Sequence, residues 1–165
     1  MNTSAKSRSA FIIPIILGLG LLALFLLPNM SGTTEDDWTG DTSTEQVGYS
    51  DTHMIMGLAG YSWAYTIAFI GIAIAAIGAF VLPLPNSSIP RKPVVAGGAA
   101  IGLLIPVGML LAINNSELLD GGAPSFGIWL YALACIAATI GGFVSADAPA
   151  KPVDTSLPDW VKKTP

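Results

Sequence analysis

The stretch YSWAYTIAFIGIAIAAIGAFVL, Tyr61–Leu82, decides the fold. It contains no Asp, Glu, Lys or Arg, and it matches the roughly 20 apolar residues that an α-helix needs to cross the hydrocarbon core of a bilayer. Small residues recur through it at Ala64, Ala68, Gly71, Ala75 and Ala79. Steps of three and four place them on one helix face. In lipid, faces of this kind let two backbones approach closely, which is what drives helices together there.

Three more stretches pass the same test: Ala10–Pro28, Val94–Ile113 and Phe126–Ser145. The expected fold is therefore an all-α integral membrane protein with four transmembrane helices in a small-residue-packed bundle. Composition agrees. The chain has 165 residues, 52% hydrophobic and only 11% charged, whereas an average soluble domain is about 25% charged. The divisions expected are an N-terminal segment (1–9), TM1 (10–28), an acidic outer loop with an interfacial segment (29–60) and TM2 (61–82). After these come a basic loop (83–93), TM3 (94–113), an outer loop (114–125), TM4 (126–145) and a Pro/Lys tail (146–165). The first span follows Lys6 and Arg8, yet its apolar run exceeds the ~7–15 residues of a signal-peptide core and no A-x-A-like site follows, so it reads as an uncleaved span.

Charge sets the orientation. All seven basic residues (Lys6, Arg8, Arg91, Lys92, Lys151, Lys162 and Lys163) fall on one side of the four spans, which carries a net +4. The other side carries −8, from Glu35, Asp36, Asp37, Asp41, Glu45, Asp51, Glu117 and Asp120. Basic loops face the cytoplasm, so both termini are expected there, in a multi-pass protein of the cell (plasma) membrane. Trp63, Tyr61, Tyr65, Trp129 and Tyr131 fall at the outer ends of spans two and four, the depth that amphipathic rings favour.

Span three carries Gly98-Ala99-Ala100-Ile101-Gly102, a G-x-x-x-G, followed by Pro106; span four carries Gly127, Ala134, Ala138 and Gly142. Gly98 and Gly102 are thus candidate contact residues. Span one, with only Gly18 and Gly20 among Leu and Ile, is expected at the periphery. Pro14 and Pro106 each remove a helix hydrogen bond and predict bends.

Asp, Glu, Lys and Arg are absent from all four spans, which argues against proton relays, coupled carriers and the membrane carboxylate of rotary-ATPase proteolipids. Net charge −4 argues against nucleic acid. The single Cys135 lies mid-span, where a shielded thiol reacts little. No cofactor is expected. A metal reading rests on Asp51-Thr52-His53-Met54-Ile55-Met56, since His53 with Met56 is a pairing copper uses and Asp51 could hold the second ring nitrogen. Oxygen-bearing side chains also alternate from Asp37 to Glu45, but Thr42 and Gly48 stand where a calcium loop needs its turn glycine and bidentate glutamate. Asn29-Met30-Ser31 and Asn114-Asn115-Ser116 match the N-glycosylation pattern on the outer side.

The outer loop is too polar to build a core of its own, so it is expected to be a cap on the bundle or a docking surface, with Trp38, Asp36 and Asp37 as its contact residues. Four spans with a long first outer loop make a plan similar to that of claudins and tetraspan proteins. Claudins carry a G-L-W element and paired cysteines in that loop. Here it reads Asp37-Trp38-Thr39-Gly40 and holds no cysteine, and no family is assigned.

The function expected is that of a non-catalytic accessory or scaffold subunit. Its partners would be the lipid bilayer and a membrane-protein partner or a second copy of itself. The alternatives are a small pore or carrier formed by homo-oligomers, with Pro106 as the moving part, and a metal-binding subunit of a membrane enzyme complex.

Overall fold

The computed structural model describes residues 3–35, 39–40, 42–81, 91–115 and 122–144. The elements run α1 (Thr3–Leu26), β1 (Met30–Glu35), β2 (Thr42–Val47), α2 (Tyr49–Leu58), α3 (Ser62–Val81), α4 (Arg91–Gly102), α5 (Leu104–Asn115), β3 (Ala123–Pro124) and α6 (Phe126–Val144). Three helical stretches are long and apolar enough to cross a membrane: Ser62–Ala79, Lys92–Asn115 and Phe126–Val144, with a shorter apolar helical stretch at Ile12–Leu26. The molecule is mostly helical, with the segregation of apolar helices that marks a multi-pass membrane protein.

The helices meet through their small residues. On α3, Ala64, Ala68, Ala75 and Ala79 are fully buried. A Cβ placed on Gly98 of α4 would stand 2.5 Å from the Gly71 carbonyl oxygen and 2.8 Å from the Ala75 amide nitrogen. Here α3 and α4 touch backbone to backbone, the contact a G-x-x-x-G face allows. Farther along, Gly142 of α6 lies against Ala96 of α4, where a Cβ would stand 2.8 Å from the Ala96 nitrogen. So α4 packs between α3 and α6, and α1 lies against α6 and, less extensively, α3.

The first apolar helix, α1, expected at the periphery, is not peripheral. Gly20 of α1 approaches α6 so closely that a Cβ would overlap Ala134 at 2.6 Å, and Ile13, Leu17 and Leu24 are buried. One glycine suffices because it sits where the two helices are nearest, while Ile13 fills the space beside Gly141. Gly18, on the other side of α1, meets nothing within 4 Å.

Span three is two helices. The break falls at Leu103, whose amide bonds to Ala100 three residues back rather than four. Pro106 explains it, because proline has no N–H to give the carbonyl of Gly102 and its ring crowds that turn. The freed Gly102 carbonyl accepts a buried hydrogen bond from the Tyr131 hydroxyl of α6 at 2.9 Å. A helix defect made in one element is thus satisfied from another.

The segment 29–60, expected as an acidic loop with an interfacial segment, contains a β-hairpin and a helix. β1 and β2 pair antiparallel from Met30↔Val47 to Glu35↔Thr42, and β3 adds Met30↔Pro124 and Ser31↔Ala123, giving the order β2-β1-β3. The sheet grows directly from the helix ends. The amide of Asn29 bonds to Val47, that of Ser125 to Asn29, and that of Gly127 to Pro28. Asn29 is the knot. Its side-chain amide caps the end of α1 on the Leu24 carbonyl at 2.7 Å, and its carbonyl crowds Gly127 at the start of α6.

Candidate functional site

Three places bring together the residues singled out from the sequence or by the fold. The first is the α4 face with Gly98 and Gly102. Both glycines are used inside the molecule: Gly98 on α3, as above, and Gly102 on α6, where a Cβ would stand 2.8 Å from Cys135 Sγ and 3.3 Å from Tyr131 Oη. The G-x-x-x-G of α4 therefore contacts two neighbouring helices of the same chain. Gly97, one residue away, meets nothing within 4 Å.

The second place is α2 and the rings around it. Tyr49, Thr52, His53 and Met56 recur at helical spacing and turn toward α3. Thr52 and Met56 are fully buried, and the Met56 methyl reaches toward Gly108 of α5. His53 lies edge-on to Tyr65 with ring centres 5.0 Å apart, and Tyr49 lies 5.8 Å from the same ring. Phe25 from α1 meets Tyr49 at 4.6 Å and Phe69 at 6.0 Å. The cluster clasps α1, α2 and α3 together, with Phe25 stacked on Phe69 and the other three pairs edge-to-face, both geometries that aromatic quadrupoles favour. Burial pushes the Tyr49 phenol above its ordinary pKa, so it stays neutral across the physiological range.

The metal reading placed Asp51, His53 and Met56 on one ion. The structure does not bring them together. Two residues along an α-helix is about 200° of rotation, so exposed Asp51 points away from His53, while Met56 is sealed in the core at 1% exposure. Among the described residues no three His, Cys, Asp or Glu side chains converge.

The third place is the ribbon of β1 and β2. Residues 42–46 are all exposed. Successive side chains on a strand point to opposite faces, so both faces of β2 are open to solvent. Glu45 stands opposite Gly32 and has no side chain directly across from it on β1. Trp38, Asp36 and Asp37, the expected contact residues of this loop, lie outside the described residues.

The Asn29 glycosylation pattern sits on a residue with no exposed surface and with its side-chain nitrogen bonded to Leu24, so the folded protein offers no acceptor there. Asn114 is exposed, but its side-chain nitrogen bonds to the Leu110 carbonyl at 2.8 Å.

Sequence reasoning missed Asn29, Tyr131 and the ribbon. Tyr131 had a signal, since a proline inside an apolar helix frees a carbonyl four residues back, and a Tyr on a neighbouring small-residue face is a natural donor. Comparison with protein-family models, with curated proteins and with solved structures finds no match.

Proposed function

We propose that this chain is a four-span membrane protein of the plasma membrane with both termini in the cytoplasm. It acts without catalysis, as an accessory or scaffold subunit that holds another membrane protein through its outer face. The observation that carries the reading is the polar strand β2, exposed on both faces over residues 42–46, raised from a base whose helices touch backbone to backbone. A two-stranded ribbon with no apolar face is marginal by itself in water. Anchored at Asn29 to the ends of α1 and α6, it becomes a fixed feature that presents polar backbone and acidic side chains outward.

The distribution of charge supports the orientation, since the ribbon belongs to the −8 side and every Lys and Arg to the other. A pore or carrier would use the Pro106 break as its moving part. The Tyr131 bond to Gly102 ties that break to α6, which favours a fixed bend. Asp51 lies on the opposite side of α2 from His53, and Met56 is sealed in the core, which counts against the metal-binding subunit.

Native mass spectrometry of the protein taken from its own membrane in mild detergent tests the reading. The expected result is a second polypeptide at fixed stoichiometry. A homo-oligomer alone that conducts or exchanges solute in liposomes overturns it in favour of the pore or carrier.

A further inference from the structure

The two edges of the outer sheet are built differently. One is closed by β3, which is only two residues long and includes Pro124, a residue with no N–H to offer. The other is β2, Thr42-Ser43-Thr44-Glu45-Gln46-Val47, six residues paired with β1 in unbroken register. Sheet edges exposed to water are normally blunted by proline, lysine, a bulge or a covering element, because the outward backbone groups are a template for another strand. β2 carries no proline, no lysine and no bulge, and it is the terminal strand of the sheet among the described residues. Two threonines and a valine give it the β-propensity of a strand meant to be paired.

The charge near this edge has one sign. Glu45 lies exposed on the strand opposite Gly32, and the chain has no Lys or Arg between Arg8 and Arg91. Opposite charges on neighbouring strands stabilise pairing and like charges oppose it. A second copy of β2 in matching register would bring Glu45 against its own kind.

We propose that β2 is a docking edge for an extended, basic segment of a partner protein. The segment adds a fourth strand to the sheet, with backbone hydrogen bonds giving the attachment and a Lys or Arg beside Glu45 giving the selection. This inference rests on the subunit reading above and names the surface and the chemistry of its partner.

The test uses the full chain in phosphatidylcholine nanodiscs and a short synthetic peptide of alternating lysine and valine. The expected result is that the peptide slows amide exchange across residues 42–47 about tenfold. The same peptide N-methylated at alternate residues gives no protection, because it cannot complete the ladder. A glutamate–valine peptide binds about threefold more weakly than the lysine peptide, and Glu45→Lys reverses that order. Glu45 is exposed, so this variant keeps the fold. Protection that falls elsewhere overturns the proposal, as does binding indifferent to N-methylation and to Glu45→Lys, or a β2-paired dimer in the absence of peptide. The two readings fail separately. A stoichiometric native partner retained by a Thr44→Pro chain leaves the subunit reading standing and removes the edge, whereas the absence of any native partner removes the subunit reading whatever the peptide does.

Discussion

A methyl group at Gly98 would meet two backbone atoms, the Gly71 carbonyl oxygen and the Ala75 amide nitrogen, rather than the flexible end of a side chain. Backbone cannot swing aside, so α3 and α4 must separate and lose dispersion contacts along their shared face. Gly98→Ala is expected to destabilise the protein by about 2–3 kcal/mol in a detergent unfolding titration. The control is its neighbour. Gly97→Ala meets open space, and removing a helix-interior glycine there should stabilise by about 0.5–1 kcal/mol. Equal effects at the two positions would mean that the α3–α4 contact is not the one described. Asn29 is the other residue whose chemistry is fixed by a single atom. Asn29→Asp replaces the donor to the Leu24 carbonyl with a second acceptor inside a buried knot, and a loss of about 2 kcal/mol or more is expected in the same titration.

At the scale of elements, the break between α4 and α5 and its repair from α6 form a coupled pair. Tyr131→Phe removes the donor to the Gly102 carbonyl and should cost about 1 kcal/mol, in the range of hydrogen bonds between helices in lipid. In a Pro106→Ala background the residue at 106 regains an N–H, which can bond to Gly102 along the helix. Tyr131→Phe should then cost much less, and the double-mutant cycle should give a coupling of about 0.5 kcal/mol or more. Additivity would mean that the carbonyl is satisfied in some other way. This pair also illustrates what a sequence conveys. The face of α3 from Ala64 to Ala79 was legible because small residues at helical spacing have one use in lipid, and the G-x-x-x-G of α4 because its spacing permits close approach. Which helices would meet those faces was not legible, since spacing names a face and not a partner. The place of α1 was misread for a related reason: one glycine at the point of nearest approach does the work of a whole stripe when Ile13, Leu17 and Leu24 fill the remaining gap. The ribbon left no pattern at all. Ser31 to Glu35 and Thr42 to Gln46 are polar throughout, with none of the alternation that betrays a half-buried strand, and their pairing is imposed by the knot at Asn29.

The helices of the molecule are apolar on their outside as well as within. Ile15, Leu19 and Leu22 on α1, Ile67, Ile70, Ile74 and Ile77 on α3, and Leu133, Ile136, Ile140 and Phe143 on α6 are all exposed. A soluble protein does not leave apolar surface of that extent in water, whereas a bilayer solvates it. Depth and direction can therefore be probed separately. Ile70→Lys puts a charge midway along α3 on its outward face, where insertion of a lysine costs about 2.5–3.5 kcal/mol, and should lower the yield of inserted protein. Ile70→Leu should leave it unchanged. Direction follows from charge, and buried Cys135 leaves the protein without a reactive background thiol. Thr44→Cys, on the exposed ribbon, should take a membrane-impermeant maleimide from outside intact cells, while Lys151→Cys should react only after the membrane is opened. The driving term is the Arg91–Lys92 pair at the start of α4 together with Lys6 and Arg8, since basic residues flanking the apolar helices resist translocation. Replacing those four residues with glutamine removes most of the bias while leaving the apolar helices intact. A mixed population, in which some chains expose the Thr44→Cys thiol inside and some outside, is the expected labelling result. Unchanged one-sided labelling of the charge-stripped chain would mean that the folded outer sheet, and not the basic loops, sets the orientation.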